Sequence, residues 1–281
     1  MLQSHRTGRD VVIGICNVTP DSFSDGGAFF RADAARRHAE RLVADGADII
    51  DIGAESTRPG SQRVDAEEQI ARLRDVLPAV CALHRPVSID TTRAEVAAFA
   101  LDAGAEIVND VSAGRDDPDL LPLVAARGAA VVLMHMLGAP KTMQQNPQYA
   151  DVVGEVRAFL EARMTAADDA GVRRERIVLD PGIGFGKRLE HNLELLCRID
   201  ALAALDRPVL VGPSRKRFIG ELTGVDEPAR RVAGTIAACL AARRAGARCF
   251  RVHDVKPVVD ALTVARAIES GAAAAAPAAP S

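Results

Sequence analysis

The chain has 281 residues, of which 48% are hydrophobic and 26% charged, enough for one large domain or two small ones. Its formal net charge of −3 argues against a general binder of nucleic acids or anionic membranes. No stretch approaches the roughly 18 apolar residues of a membrane span, and the N-terminus lacks a signal-peptide core. We therefore expect a soluble, cytoplasmic protein.

The five cysteines are scattered along the chain and form no CxxC pair. An odd and dispersed set is typical of reduced, mostly buried thiols, and it disfavours a disulfide framework or a zinc site. The residues are Cys16, Cys81, Cys197, Cys239 and Cys249.

Eight short apolar runs recur along the chain, and each ends in a polar or glycine-rich stretch. Partly β-branched runs of this length are typical of strands buried in a parallel sheet. They cover residues 11–16, 49–52, 86–89, 106–108, 130–134, 177–179, 208–211 and 249–252. Helical segments rich in Ala, Leu and Arg lie between them, for example at 32–44, 67–83, 93–103 and 151–170.

Four of the joints from helix to strand carry the same Gly-Ala pair, at residues 46–47, 104–105, 128–129 and 246–247. Glycine just after a helix supplies a left-handed C-cap, and the repeat predicts βα units. Eight such units in about 250 residues suit a (β/α)8 TIM barrel, whereas a doubly wound sheet usually has fewer strands. We predict an α/β fold with a single barrel domain at 11–270, a loose N-terminal extension at 1–10 and a disordered Ala/Pro-rich tail at 271–281.

The long loops all follow strands, at residues 18–31, 54–66 and 136–150. In a barrel, this asymmetry places the active site at the carboxyl-terminal ends of the strands. Three polar residues end the third, fourth and sixth predicted strands: Asp90, Asn109 and Asp180. Ionised Asp accepts hydrogen bonds, whereas Asn both accepts and donates them. Together they suit a flat heterocycle with several N–H groups. Capping of helix N-termini is the alternative for each of them.

The glycine-rich turn at 181–187 contains one large apolar side chain, Phe185. Phe185 is suited to cover the face of a ring, and burial in the core is the alternative. Met134 is a candidate for an apolar slot beside that ring, whereas we expect His135 to be a satisfied core histidine. The turn is not a phosphate-binding P-loop, because a proline and an arginine replace the Gly and the Ser or Thr which that motif needs.

The seventh, eighth and second strands carry cations at or just after their ends: Lys216, Arg251, His253 and Arg58. The last two strand ends of a barrel frequently hold phosphate, so this group suits a phosphate or a pyrophosphate. The planar guanidinium of Arg251 can also stack on an aromatic ligand. Surface salt bridging is the alternative for the whole group, and it is what we expect of Arg215 and Arg217.

The segment from Asn17 to Gly27 is polar and glycine-rich, as in a mobile lid. The side-chain carbonyl oxygen of Asn17 suits a Mg²⁺ ion bound mainly by substrate phosphates, since Mg²⁺ favours few protein ligands. A network of Asx and Ser turns that merely shapes the loop is the alternative.

Nine segments, in order from the first strand to the eighth, resemble the dihydropteroate synthase family, the sulfonamide-target enzymes of folate synthesis. They are NVTPDSFSDGG from Asn17, DIGAESTRPG from Asp51, SIDTT from Ser88, VND from Val108, MHM from Met134, PKTMQQNPQY from Pro140, LDPGIGFGK from Leu179, GPSRKRFIG from Gly212 and RVHDV from Arg251. Two residues vary mildly from the commonest form of the family, Ala54 and Pro213, and neither change removes a functional group.

The resemblance implies a TIM barrel, usually dimeric and dependent on Mg²⁺, which joins (7,8-dihydropterin-6-yl)methyl diphosphate to p-aminobenzoate. The products are 7,8-dihydropteroate and pyrophosphate, and sulfonamides compete with p-aminobenzoate. No nucleic acid or membrane is an expected partner.

The resemblance also assigns roles to residues. The implied pterin site comprises Asp90, Asn109, Met134, Asp180, Phe185, Lys216 and Arg251. The implied diphosphate site comprises Asn17, Thr57, Arg58, Arg251 and His253, with Asn17 also the metal ligand. The implied p-aminobenzoate site comprises Thr57, Pro59, Phe185, Ser214 and Lys216. The implied catalytic residues are Asp90, Lys216, Arg251 and Asn17.

No Ser-His or Cys-His pair stands out in the sequence as a nucleophile system, which favours direct displacement. In our hypothesis pyrophosphate leaves first, Asp90 stabilises the resulting pterin cation, and the aniline nitrogen then attacks. Two other functions stay open at this point. A methyltetrahydrofolate:corrinoid methyltransferase would not need the diphosphate cluster, and a pterin-binding paralogue without turnover would be expected to lose lid or phosphate residues.

Overall fold

The computed structural model describes residues 1–18, 28–56, 61, 63–139 and 141–271. In this part of the chain, eight parallel strands form one sheet in the order β6-β5-β4-β3-β2-β1-β8-β7. The strands are β1 (Val11–Asn17), β2 (Ile49–Gly53), β3 (Val87–Asp90), β4 (Ile107–Asp110), β5 (Ala130–Met134), β6 (Ile177–Asp180), β7 (Leu210–Val211) and β8 (Cys249–Val252). A parallel bridge between Leu179 and Val209 joins β6 to the segment before β7. The predicted (β/α)8 barrel is confirmed.

Helices surround the strands. They are α1 (Ser4–Thr7), α2 (Ala28–Ala44), α3 (Ala66–Leu73), α4 (Val76–Cys81), α5 (Ala94–Asp102), α6 (Leu120–Arg127), α7 (Val152–Asp169), α8 (Leu189–Cys197), α9 (Asp200–Ala203), α10 (Arg217–Thr223), α11 (Val232–Arg244) and α12 (Val255–Ser270). None of the helices in the described residues is both long and apolar enough to cross a membrane.

The helix predicted at 67–83 is two helices, α3 and α4. Pro78 lies in the first turn of α4. A proline there loses no hydrogen bond, whereas in the interior of a longer helix it would clash with the carbonyl four residues earlier. The prediction of one continuous helix was therefore wrong, because α3 ends at Leu73 and α4 begins only at Val76.

Side chains inside the barrel follow the two-residue period of the strands. The lower layers are apolar and form one cluster: Val11, Ile13, Ile49, Ile107, Ala130, Val132, Val178, Leu210 and Cys249. Alternate residues face outward and pack against the helices in the main core. The interior is therefore a packed apolar floor, and polar side chains begin only towards the carboxyl ends of the strands.

The N-terminal extension is anchored to the barrel, which differs from the loose segment expected at 1–10. Met1 and Leu2 pack against the apolar floor. Asp10 is buried and accepts a hydrogen bond from Arg243 Nε at 2.8 Å. At the other end of the chain, the predicted tail lies outside the described residues beyond Gly271. All five cysteines are free, and Cys16, Cys239 and Cys249 are buried.

Candidate active site

Strand register brings the predicted polar residues into one row. Asn17 pairs with Gly53, Gly53 with Asp90, and Asp90 with Asn109. On the other side of the barrel, Asp180 pairs with Met134 at the ends of β6 and β5. All of these residues therefore lie at the carboxyl-terminal face.

An open cavity with an empty volume of about 360 Å³ occupies this face. It is lined by Asp90, Asn109, Val111, Met134, Asp180, Gly182, Ile183, Phe185, Gly212, Lys216 and Arg251. Every residue that the resemblance implies for the pterin site is in this lining. This composition suits a flat, polar ring, because the two carboxylates and the amide can form hydrogen bonds with it and the methionine and phenylalanine side chains can contact its faces.

Asp180 is a buried hydrogen-bond acceptor at the cavity wall. Its Oδ1 accepts the backbone N–H of Gly182 at 2.7 Å. Burial raises the pKa of Asp180 to about 6, against the lowering effects of that hydrogen bond and of Lys216. The Nζ of Lys216 lies 4.1 Å from the centre of the Phe185 ring, in a cation–π contact. Asp180, Lys216 and Phe185 thus line the same opening.

Arg251 lies between two buried carboxylates. Its Nε donates to Asp51 Oδ2 at 2.7 Å, and its terminal nitrogen donates to Asp90 Oδ2 at 2.9 Å. Asn109 also donates to Asp51 Oδ2, at 3.3 Å. Burial raises the pKa of Asp90 to about 7; Arg251 lowers it, and the nearby charge of Asp51 raises it further. The site therefore contains a guanidinium shared by two acids.

Sequence reasoning missed Asp51, which is 1% exposed and holds both Arg251 and Asn109. The signal was present, because an acid in the middle of the apolar run 49–52 needs a buried partner. The partner is 200 residues away along the chain.

His135 is buried in the structure, as expected of a core histidine, and its partner is Lys187. The Nζ of Lys187 lies 2.9 Å from His135 Nδ1 and donates to the carbonyl oxygen of Phe185 at 3.1 Å. Burial lowers the pKa of Lys187 to about 7 and that of His135 to about 3. Lys187, which the sequence pattern left without a role, therefore ties the loop after β6 to the end of β5.

The loops after β7 and β8 are joined through their side chains. Ser214 Oγ lies 3.0 Å from His253 Nδ1, a Ser-His pair that the sequence did not indicate because 39 residues separate its members. The next residues pair as well: Arg215 donates twice to Asp254, at 3.0 and 2.7 Å. The expected surface role of Arg215 was thus incomplete, since the pair joins two loops at the barrel mouth. Arg217 forms the exposed pair that was expected, with Glu221.

Three predicted site residues lie outside the described residues: Thr57, Arg58 and Pro59. The same holds for most of the predicted lid, from Thr19 to Gly27.

The surroundings of Asn17 fit a Mg²⁺ ion that is held mainly by a substrate. A Cβ added at Gly53 would lie 3.6 Å from Asn17 Oδ1 and 3.7 Å from Asp90 Oδ2, so both oxygens border the space above this glycine. The described residues contain no cluster of three acidic, histidine or cysteine side chains suited to a metal. An amide oxygen is a type of ligand that suits Mg²⁺, which binds oxygen atoms and favours few ligands from the protein.

Comparison with known families decides the assignment. The family model for pterin binding enzymes matches residues 13–253. The chain belongs to this family. Within the pterin-binding enzymes it groups with the dihydropteroate synthases: that of Synechocystis sp. is 47% identical over 264 residues, which cover 92% of this chain and 90% of the relative.

Solved pterin-binding enzymes share the fold closely. Dihydropteroate synthase from Xanthomonas albilineans with 4-aminobenzoic acid is 49% identical, with a TM-score of 0.88 over 93% of this chain and 94% of that one. A structure from the same organism in complex with 7,8-dihydropteroate is 46% identical, with a TM-score of 0.84 and the same coverage. The Yersinia pestis enzyme with a sulfonamide drug is 41% identical, with a TM-score of 0.88 over 94% and 95% of the two chains.

Proposed function

We propose that this chain joins (7,8-dihydropterin-6-yl)methyl diphosphate to p-aminobenzoate, giving 7,8-dihydropteroate and pyrophosphate. The observation that carries the proposal is the cavity in which all seven implied pterin residues meet. Membership of the dihydropteroate synthases, one of which was solved with 7,8-dihydropteroate, supports the same reaction.

The pterin ring binds with its N–H groups towards Asp180 and Asn109 and with its face between Met134 and Arg251. Carboxylate oxygens accept from the ring N–H groups, and the amide of Asn109 serves both donors and acceptors. Because Asp180 is 6% exposed, each hydrogen bond to it forms in a poorly solvated place.

The bond that breaks joins the pterin methylene carbon to the diphosphate oxygen, and its electron pair leaves with pyrophosphate. Arg251 and His253 stabilise the departing anion together with Arg58 and Thr57, and Asn17 would be the protein ligand of Mg²⁺. Bound Mg²⁺ supplies Lewis-acid stabilisation of that anion. Asp90, held near the ring by Arg251 at 2.9 Å, stabilises the positive charge that the pterin delocalises.

The aniline nitrogen of p-aminobenzoate then attacks the methylene carbon and loses a proton to solvent. Phe185, Lys216 and Ser214 form its pocket with Thr57 and Pro59. The position of Lys216 over the Phe185 ring supports this assignment, because one cation then serves both substrates. Sulfonamides resemble p-aminobenzoate, and we expect them to compete for this pocket.

We also propose a cytoplasmic homodimer. The free cysteines support a reducing compartment. Two exposed apolar side chains one helical turn apart on α12, Val264 and Ile268, support a partner surface. Sedimentation at micromolar concentration tests the dimer.

The decisive assay is release of pyrophosphate by the purified chain. We expect release only when pterin diphosphate, p-aminobenzoate and Mg²⁺ are all present, and competitive inhibition by a sulfonamide against p-aminobenzoate. A chain that binds a dihydropterin but releases no pyrophosphate under these conditions would overturn the proposal.

The order of the two steps has a separate test. If pyrophosphate leaves first, labelled pyrophosphate should exchange into pterin diphosphate in the absence of p-aminobenzoate. Turnover without any exchange would instead indicate that attack and departure are concerted.

A further inference from the structure

The loops after β7 and β8 lie side by side and are joined by two adjacent pairs of side chains. We call these two pairs, Ser214 with His253 and Arg215 with Asp254, the loop clamp. Ser214 is 5% exposed, and the side chains of Arg215 and Asp254 are 31% and 16% exposed. The clamp is therefore largely shielded from water.

Ser214 makes two hydrogen-bond contacts with His253, one with its backbone and one with its ring. Its Oγ accepts the backbone N–H of His253 at 3.1 Å, and it also lies 3.0 Å from His253 Nδ1. The hydroxyl keeps a proton to donate and a second lone pair with which to accept, so either Ser214 donates to Nδ1 or Nδ1–H donates to Ser214. A serine hydroxyl donates one hydrogen bond, and a neutral imidazole accepts through its unprotonated nitrogen. When Ser214 donates to Nδ1, the proton of the ring sits on Nε2.

The backbone at the clamp is held in an unfavourable conformation. Arg215 has φ of 59°, which is rare for a residue other than glycine. Three contacts keep it there: its side chain donates to Asp254, its N–H donates to Thr235 Oγ1 at 3.1 Å, and Arg231 donates to its carbonyl oxygen at 3.0 Å. Strain of this kind persists only where the surroundings fix it, and it gathers at functional sites. The position of Ser214, one residue earlier, is fixed by the same contacts.

We propose that Ser214 is a positioning residue which holds His253 in the tautomer protonated at Nε2, so that the imidazole presents an N–H donor to the departing diphosphate. This role rests on the proposed function and adds to the contact of Ser214 with p-aminobenzoate. An acceptor nitrogen facing the phosphate oxygens would repel them, whereas an N–H donor binds them. The hydrogen bond made by one ring nitrogen sets the state of the other.

The test reads the tautomer of His253 directly. Long-range ¹H–¹⁵N spectra of the free enzyme, with His253 assigned through H253Q, distinguish protonation at Nδ1 from protonation at Nε2. We expect the Nε2-protonated form in the wild type, a mixture of the two in S214A, and the wild-type pattern again in S214T, which keeps the hydroxyl. Should S214A fail to fold, S214C, with its weak thiol donor, takes its place.

The kinetic arm separates positioning from substrate contact. We expect S214A to lower kcat by about 10-fold, a fraction of the loss when a fixed oxyanion donor is removed. We expect the inhibition constant of pyrophosphate to rise by a similar factor. S214T should restore both values.

A Ser214 that only contacts p-aminobenzoate would give a different result: KM for p-aminobenzoate would rise, while kcat and the tautomer stayed as in the wild type. That outcome, or an Nδ1-protonated His253 in the wild type, would overturn the inference. The spectra need no turnover, so they remain decisive even if the wild type releases no pyrophosphate, a result that would count against the proposed reaction instead.

Discussion

Three buried acids and two cations share the candidate site, and their burial makes each one costly unless it is paired. Asp51 and Asp90 are both in contact with Arg251, and Asp180 faces Lys216. The described residues around Asp51 leave its Oδ1 buried without a hydrogen-bond partner. A buried oxygen without a partner lowers the stability of the ligand-free protein. A ligand that donates a hydrogen bond to this oxygen would remove that cost.

Asp180→Asn should weaken binding of a dihydropterin by roughly 10- to 100-fold, because a hydrogen bond to a charged acceptor contributes about 1.5–3 kcal/mol. Isothermal titration of both proteins measures the change. Asp48→Asn is the matched control, since Asp48 accepts the N–H of Val12 at the opposite end of the strands. Equal affinity of D180N and the wild type would remove Asp180 from the pterin site.

Asp90→Asn should make stability less sensitive to pH. The folded protein holds the proton of Asp90 up to a pKa of about 7, whereas the ordinary value is 3.8. The stability contributed by protonated Asp90 is therefore fully present below about pH 4 and is lost as the pH rises to about 7. An asparagine has no such loss.

Urea denaturation at several pH values tests this claim. The free energy of unfolding of D90N, minus that of the wild type, should increase by roughly 1–3 kcal/mol between pH 4 and pH 8. Asp102→Asn is the control: Arg127 lowers the pKa of this exposed acid, so its difference should not increase with pH. If the difference for D90N does not change with pH, the pKa of Asp90 is not raised in the folded protein.

At the scale of elements, the loops after β5 and β6 act as one unit. Lys187 joins them through His135 and Phe185, and Tyr149 donates to the carbonyl oxygen of Gly186 at 2.8 Å. Gly182 allows the closest approach, because a Cβ there would overlap the carbonyl oxygen of His135. This interlock fixes where Phe185 stands at the cavity wall.

Gly182→Ala should destabilise the fold by roughly 2–4 kcal/mol, from the left-handed φ of 67° together with the clash. Gly128→Ala is the matched control, with φ of 60° and no atom within 4 Å of the added Cβ. It should cost only about 1 kcal/mol. Thermal and urea unfolding measure the loss of stability in both variants. Equal losses would show that the Cβ added at Gly182 is accommodated without a clash with the carbonyl oxygen of His135.

For the whole molecule, one buried arginine connects the segment before β1 to α12, the last helix among the described residues. Arg243 on α11 donates to Asp10 at 2.8 Å and to Glu269 on α12 at 2.5 Å. The side chains of Arg243 and Asp10 are only 6% and 5% exposed. Loss of the cation would leave the carboxylate of Asp10 buried without its charge partner.

Arg243→Met should therefore cost roughly 3–5 kcal/mol of unfolding free energy. Arg157→Met breaks an exposed pair with Glu161 within one helix and should cost less than about 0.5 kcal/mol. Urea titration of the two variants gives the comparison. A small loss in R243M would indicate that Asp10 is reached by water once its partner is gone.

The sequence by itself determined the barrel and the edge that carries the site. Apolar runs of strand length, Gly-Ala joints and polar strand ends are local signals, and in a parallel barrel all carboxyl-terminal strand ends meet on one face. Asp90, Asn109 and Asp180 were found in this way. Their chemistry and that of the other segments was specific enough to indicate the family.

Only the tertiary structure decided which groups touch. Asp51 with Arg251, His135 with Lys187, and Ser214 with His253 are each separated by 39 residues or more along the chain. A local pattern gives no pairing between residues so far apart, because it is barrel closure and strand register that set their distances. The degree to which each side chain is buried could not be predicted from a local pattern either. Burial is what raises the pKa of Asp90 and lowers that of Lys187.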